Sequence, residues 1–203
     1  MPVPPDKLVD TCIRLELAAL LKAEGYKKKA RNFRLATEES TRIVNVQASQ
    51  WNFQGRAQFV MNLGVFFPAV HRLEKDWPIV GSPKEYECQA QMRLGPPGKA
   101  DNAWWEIRGE ADIPKAAAEM AERWKTRGRP WMAERATIAG ALRFESETFL
   151  RSITRAVMLF VLGDLDGARR HLSRVARESD VEDVRKDALE CRHRTQRAAL
   201  SSA

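Results

Sequence analysis

Four short segments in the first half of the chain alternate apolar and polar residues with a period of two, at positions 31–36, 42–51, 57–67 and 87–94. Successive side chains of a β-strand point to opposite faces, so this alternation predicts strands with one apolar and one polar face. The apolar face is expected to carry Phe33, Leu35, Val44, Val46, Ala48, Phe59, Met61, Leu63, Val65, Cys88, Ala90, Met92 and Leu94.

The opposite face, which we call the amide face, is dominated by uncharged amides. An amide both donates and accepts hydrogen bonds, which suits polar ligands, peptide backbones and nucleobases. An arginine on the same face adds a group that binds carboxylate or phosphate in bidentate geometry. The alternative is a face without a binding role, either open to water or covered by the C-terminal helices. The amide face is expected to carry Asn32, Arg34, Asn45, Gln47, Ser49, Gln58, Asn62, Gln89, Gln91 and Arg93.

The rest of the pattern predicts helices around these strands. Polar links of hairpin length join the first three strands, which should form an antiparallel meander. The predicted fold class is α+β, an antiparallel sheet of four or five strands packed on helices, with a C-terminal helical extension. Helical periodicity or local signals place helices at 6–24, 68–75, 112–128, 130–162, 165–178 and 181–198, and a short fifth strand at 104–108.

Local signals set several of these boundaries. Asp6 is placed to cap the first helix, Gly128 to end the helix that starts at 112, and Asp164 to cap the helix that follows Gly163. We expect an α+β module over 1–130 and a helical extension over 131–203. Whether the extension packs on the module as one domain stays open at this stage.

Composition limits the classes of protein. The 203 residues carry 34 Lys and Arg against 27 Asp and Glu, a formal net charge of +7, which permits nucleic-acid or anion binding. The densest basic patch is Lys27, Lys28, Lys29, Arg31 and Arg34. No segment approaches the roughly 20 apolar residues of a membrane span, and the N-terminus lacks a signal pattern. We expect a cytoplasmic protein without a membrane partner.

Catalytic and metal-binding motifs are missing from the sequence. The three cysteines and three histidines are dispersed, and no C-x-x-C pair occurs, so neither a metal site nor a cofactor is predicted. No G-x-S-x-G, H-E-x-x-H or P-loop is found. These observations favour a protein that is not an enzyme, although they leave that question open.

The pair Trp104 and Trp105 offers an anchor for recognition. Neighbouring strand residues point to opposite faces, so one ring can enter the core while the other lines a surface. Exposed tryptophan is a common anchor in protein interfaces. We include Trp105 in the candidate site on this ground.

Several segments together resemble an uncharacterised bacterial family, domain-of-unknown-function family 4304, over roughly residues 8–131. The resemblance implies a compact α+β module and no particular reaction. It is carried by GYKKK at 25–29 leading to Phe33, VNVQAS at 44–49, FVMNLGV at 59–65, Cys88, RLG at 93–95, and the Trp104–Trp105 pair.

The resulting hypothesis is a binding or interaction module without enzymatic activity, with an unidentified protein as its partner. One alternative is a small-ligand binder or enzyme that acts on an anionic substrate held by Arg34 and Arg93. A second alternative is nucleic-acid binding through the basic patch. The residues assigned to the candidate site are Asn45, Gln47, Asn62, Gln91, Arg93 and Trp105.

Overall fold

The computed structural model describes residues 3–75, 81–144 and 149–201, and its centre is one antiparallel sheet. Strands β1 to β5 follow one another across the sheet in chain order, and β6 pairs with the first half of β4. The meander of β2, β3 and β4 confirms the prediction from the short polar links. The strands are β1 Lys27–Lys29, β2 Asn32–Ala36, β3 Thr41–Ala48, β4 Ala57–Phe66, β5 Ala90–Leu94 and β6 Trp105–Ile107.

Helices precede and follow the sheet, and the predicted α+β class is confirmed. A 3₁₀ turn at Glu85–Glu87 precedes β5, and a second at Glu110–Asp112 precedes α4. A π-helical turn at Trp124–Gly128 joins α4 to α5. The α-helices are α1 Pro5–Leu15, α2 Leu17–Ala23, α3 Pro68–Glu74, α4 Ile113–Arg123, α5 Arg129–Glu134, α6 Ile138–Phe144, α7 Phe149–Val161, α8 Leu165–Glu178 and α9 Glu182–Ser201.

Several predicted helix boundaries are wrong. The single helix expected over 6–24 is interrupted at Glu16, whose φ of −134° and ψ of −53° lie outside the helical region, and Pro4 rather than Asp6 is the N-cap of α1. Gly128 does not end a helix, because it keeps a helical φ of −66° and the chain continues into α5. The helix predicted over 130–162 is also interrupted, because α5 ends at Glu134, Arg135 has a non-helical φ of −108° and ψ of 16°, and α6 begins only at Ile138. Residues 145–148 of that prediction lie outside the described residues.

The boundary between α7 and α8 is as predicted. Gly163 has a φ of +89°, a conformation that glycine adopts without steric cost. The Asp164 side chain then accepts a hydrogen bond from the Gly167 N–H at 2.8 Å and caps α8. The chain therefore turns sharply here, and α8 packs against α7.

The apolar face of the sheet and the C-terminal helices belong to one contiguous core. Phe33 and Phe59 of the sheet are buried together with Trp124, and the same cluster continues to Leu172 in α8 and Cys191 in α9. The sheet therefore shares buried apolar surface with both the N-terminal and the C-terminal helices.

The last three helices attach to the molecule through α3. The Arg194 side chain in α9 donates to the carbonyl oxygens of Leu73 and Glu74, each at 2.9 Å. Thr154 in α7 donates from its hydroxyl to the Glu74 carboxylate. Among the described residues, no helix is long and apolar enough to cross a membrane.

Candidate binding site on the amide face

One row of polar residues runs across five neighbouring strands of the sheet. Directly opposed residues of antiparallel strands project from the same face, so their side chains are neighbours. The two ends of this row are cationic and its centre consists of asparagines. In order from β1 to β5 the row is Lys29, Asn32, Asn45, Asn62 and Arg93.

Hydrogen bonds join most of this row into a continuous chain, which we call the amide ladder (Asn32, Asn45, Asn62, Gln47 and Arg93). Arg93 Nε donates to Asn62 Oδ1 at 3.1 Å. Asn62 Nδ2 donates to Gln47 Oε1 at 2.9 Å and to Asn45 Oδ1 at 3.3 Å. Asn45 Nδ2 donates in turn to Asn32 Oδ1 at 3.1 Å. The side chains therefore hold one another in fixed orientations before any partner arrives.

Four members of the ladder, Asn45, Gln47, Asn62 and Arg93, lie on the floor of a concavity of about 540 Å³ that opens on the sheet surface, whereas Asn32 lies outside its lining. Five of the predicted site residues, Asn45, Gln47, Asn62, Gln91 and Arg93, line it together. No described residue after position 93 belongs to the lining, so the C-terminal helices do not form its walls. The structure thus brings these five residues together, and their binding role stays a prediction.

The Glu85–Glu87 turn forms one wall of the concavity, a feature that the sequence did not predict. Glu85 and Tyr86 line the cavity from this turn, and Tyr86 is 68% exposed. Gln91 fixes the turn from β5, because its Nε2 donates to the Tyr86 carbonyl at 3.1 Å and to the Cys88 carbonyl at 2.8 Å. The turn therefore presents an aromatic ring and a carboxylate beside the ladder.

Gly64 lets this wall lie close to the sheet. A Cβ at Gly64 would meet Cys88 Sγ at 2.5 Å, so only glycine permits the observed approach. Beneath the wall, Cys88 packs with Ile43 and Phe66 in a small apolar cluster separate from the main core. This cluster covers one end of the amide face, and the ladder occupies the uncovered part.

The predicted positions of Cys88 and Gln89 are wrong for the same reason. Strand β5 begins only at Ala90, so the alternation of faces does not extend back to either residue. Cys88 lies in the small cluster on the amide side rather than on the apolar face. Gln89 is 8% exposed, and its Oε1 accepts the Phe67 N–H at 2.8 Å. Gln89 thus holds the end of β4 and is not part of the open surface.

The two tryptophans divide as the alternation predicts, but the choice of Trp105 as the surface anchor is wrong. Trp105 is 2% exposed and stacks on Phe59 with ring centroids 5.5 Å apart. The pairing of Trp105 with Phe59 turns it into the core. Trp104 has its ring beside Arg93, whose guanidinium carbon lies 5.9 Å from the ring centroid. Trp104 is therefore the tryptophan next to the ladder.

The basic patch is divided by the geometry of β1 and β2. Lys27 pairs with Arg34 and Lys29 with Asn32, which places both lysines on the amide side. Lys28 pairs with Phe33, and its Nζ lies 5.7 Å from the centroid of that ring on the other side of the sheet. The five cations consequently do not form one surface.

Arg31 is held by the first helix. It donates to the Asp10 carboxylate at 2.6 Å and to the Asp6 carboxylate at 2.8 Å. Burial opposes its charge, but the hydrogen bonds to both carboxylates more than compensate, and the pKa of Arg31 is raised. Arg31 is therefore a link between α1 and the sheet.

Arg34 is also engaged within the protein. Its Nε and Nη2 donate to the Pro83 carbonyl at 3.3 and 3.2 Å. Arg34 is not among the residues that line the concavity, whereas Arg93 is. The structure thus separates the two arginines that were proposed to hold an anionic substrate together.

The three thiols are buried outside the concavity. Burial raises the pKa of Cys12 to about 12 and that of Cys191 to about 11, and it also raises the pKa of Cys88. All three therefore remain protonated at neutral pH, and a protonated thiol is a poor nucleophile. Among residues 3–75, 81–144 and 149–201, no group of three or more His, Cys, Asp or Glu could hold a metal ion.

Two exposed aromatic residues lie in the loop between β3 and β4. Trp51 is 79% exposed and Phe53 is 57% exposed. The sequence placed Trp51 inside a strand, but β3 ends at Ala48, so Trp51 belongs to the loop. Gln47 lines the concavity and is the second-last residue of β3. The loop therefore begins next to a residue of the concavity.

Fold and site together define a small α+β protein with a preformed polar concavity on one face of its sheet. The chain belongs to the family described as Domain of unknown function (DUF4304), whose model matches residues 17–134, more than half of the chain. This confirms the resemblance found in the sequence, and the match includes all six strands. No curated protein and no solved structure matches the chain.

Proposed function

We propose that this protein is a binding module without enzymatic activity, and that its amide face contacts a protein partner. The observation that supports this most strongly is the preformed ladder on the floor of an open concavity. Binding usually costs entropy when flexible side chains become ordered. Here the internal hydrogen bonds have already ordered the amides, so that cost is reduced.

The residues around the ladder support a protein as the partner. Tryptophan, tyrosine and arginine are the residues most enriched among interface hot spots. Arg93 and Tyr86 line the concavity, the Trp104 ring lies beside Arg93, and the exposed Trp51 and Phe53 extend from the loop that follows β3. A partner that covers the concavity and the loop together would bury all five side chains.

The chemistry of the concavity supports binding over catalysis. Of the described residues that line it, Glu85 is the one carboxylate, and none is a histidine or a cysteine. General acid–base catalysis needs a group whose pKa is tuned close to the working pH, usually by burial or by a neighbouring charge. The amides and Arg93 instead offer fixed hydrogen-bond geometry.

Affinity capture from a lysate of the source organism, read by quantitative mass spectrometry, tests this proposal. The baits are the wild-type protein and a variant with Gln47→Ala, Arg93→Gln and Trp104→Ala combined. Lys115→Gln is the control, because it removes a cation that is 83% exposed on α4, a helix packed on the apolar side of the sheet. We expect proteins that the wild type and the control retain and the triple variant loses.

The amide face is not the contact surface if the triple variant captures the same proteins as the wild type. Circular dichroism and thermal unfolding must show that this variant is folded.

A further inference from the structure

We infer that the partner presents an acidic segment to the amide face, with carboxylates placed against Arg93 and the donor groups of the ladder. This inference rests on the proposed function and names the chemistry of the partner at the same site. The hydrogen bonds of the ladder all run in one direction, away from Arg93.

Arg93 sets that direction. A guanidinium group donates hydrogen bonds and cannot accept them, so the Asn62 atom that faces Arg93 Nε must be the carbonyl oxygen. The Asn62 amide nitrogen consequently points away, towards Asn45 and Gln47. Both of those residues then use their carbonyl oxygens to accept, and Asn45 passes the same polarity on to Asn32. One obligatory donor therefore orients the entire ladder.

The hydrogen-bonding groups that remain available to a ligand are mostly donors. In the described part of the chain, the two terminal nitrogens of Arg93 and the amide nitrogen of Gln47 have no protein acceptor, and both residues line the concavity. The amide nitrogen of Asn32 also has no protein acceptor, but Asn32 lies outside the lining. The carbonyl oxygens of Asn45, Asn62 and Gln47 are already engaged. On the acceptor side, Gln91 Oε1 and the Glu85 carboxylate remain at the wall. A ligand rich in acceptors fits the floor.

The charges at the ends of the row favour an anionic ligand. Lys29 lies at the β1 end and Arg93 at the β5 end. Neither has a carboxylate partner among the described residues. With about 4.8 Å between neighbouring strands, four spacings separate these two cations by roughly 19 Å. An extended segment of about six residues spans that distance at roughly 3.3 Å per residue.

An acidic protein segment fits better than a nucleic acid. Phosphate backbones require a dense track of cations, and the division of the basic patch removes Lys28 and Arg31 from this face. Between the two terminal cations the face carries neutral amides, of which Gln47 and Asn32 keep a donor that matches carboxylate and peptide carbonyl oxygens. We therefore assign the site to an acidic segment of a protein.

Selection from a displayed library of random dodecapeptides on the immobilised full chain tests this inference. We expect enriched peptides to contain more Asp and Glu than the starting library. The Kd of a selected peptide, measured by fluorescence anisotropy, should increase about tenfold to a hundredfold in Arg93→Gln, because a charged hydrogen-bonding partner is lost. Lys115→Gln, which makes the same change in net charge, should leave the Kd unchanged.

Asn62→Asp tests the orientation and the charge of the face together. This substitution keeps the size of the side chain but places a charged oxygen against the carbonyl oxygens of Asn45 and Gln47. We expect the acidic peptide to bind more weakly, and a Kd equal to that of the wild type would contradict the acidic segment. If this variant does not fold, the comparison of Arg93→Gln with Lys115→Gln decides the question alone.

The remaining outcomes separate the two proposals. Enriched peptides without an acidic bias, whose Kd is unaffected by Arg93→Gln, overturn the acidic segment but leave a peptide-binding face. An absence of any enriched peptide, together with tight binding of a 20-nucleotide single strand that Arg93→Gln abolishes, overturns both in favour of a nucleic acid.

Discussion

Gly64→Ala adds one methyl group where the wall of the concavity lies closest to the sheet, so it tests whether this close contact stabilises the protein. The Cβ of an alanine at this position would lie 2.5 Å from Cys88 Sγ, 2.9 Å from Cys88 Cβ and 3.1 Å from the Glu85 carbonyl oxygen. Favourable separations of non-bonded atoms are about 3.5–4.0 Å. The segment that contains Glu85 and Cys88 must therefore move outward by roughly 1 Å in Gly64→Ala.

The outward movement lowers the free energy of unfolding, whereas the loss of the glycine raises it. Overpacking by one methylene costs about 1–3 kcal/mol. Replacing a glycine in a strand interior by alanine regains about 0.5–1 kcal/mol of backbone entropy. The net loss in the free energy of unfolding is then about 0–2.5 kcal/mol, with a midpoint of about 1.3 kcal/mol. For a protein of this length, a loss at the midpoint lowers the Tm by about 3–5 °C.

Thermal unfolding followed by circular dichroism measures this effect in a double-mutant cycle. Cys88→Ala removes the sulfur atom, so the loss in the double variant should be smaller than the sum of the single losses by about 0.5–2 kcal/mol. Gly109→Ala is the matched control, because a Cβ there meets nothing within 4 Å and its φ of 168° is extended backbone. A Gly64→Ala loss no larger than that of the control, or strict additivity with Cys88→Ala, would refute the reasoning.

Asp164→Ala should lower the free energy of unfolding by about 1 kcal/mol because α8 loses its cap. The exposed Asp166→Ala should cost less, and equal losses in urea unfolding would contradict the cap. Because burial raises the pKa of Cys12 to about 12 and of Cys191 to about 11 from a usual value of 9.0, their contribution to stability is complete below pH 9 and declines as the pH rises towards 11. Urea unfolding at pH 8 and pH 10 should therefore show lower stability at pH 10, and a flat profile would contradict this. Arg31→Gln should cost about 1 kcal/mol, since the two aspartates are largely exposed, and 1 M NaCl should narrow the difference from wild type. A salt-independent difference would show that Arg31 acts through packing instead.

Strand alternation predicted most of the sheet because a buried face imposes a period of two. The core positions Phe33, Val44, Met61 and Leu63 follow from that pattern alone. Strand β1 was not predicted, since three consecutive lysines contain no alternation and the strand exists by pairing with β2. The interruption of the first helix at Glu16 also carries no glycine or proline that would indicate it.

The floor of the site was predictable, but its wall and its tryptophan were not. The alternation of side chains along β3, β4 and β5 is enough to place Asn45, Asn62 and Arg93 on one face. The wall depends on the close approach of Cys88 to Gly64, a tertiary contact between residues far apart in the chain. The choice of Trp104 over its neighbour required the register between β6 and β4, which the sequence does not reveal.

The contact surface can be observed directly in ¹⁵N–¹H spectra of the side-chain amides during titration with the acidic peptide of highest affinity. We predict that the NH₂ resonances of Asn45, Gln47 and Asn62 and the Nε–H of Arg93 shift in proportion to occupancy, while the exposed Gln196 on α9 does not. Shifts confined to α7, α8 and α9, with the ladder resonances unchanged, would contradict the claim that the amide face is the binding site.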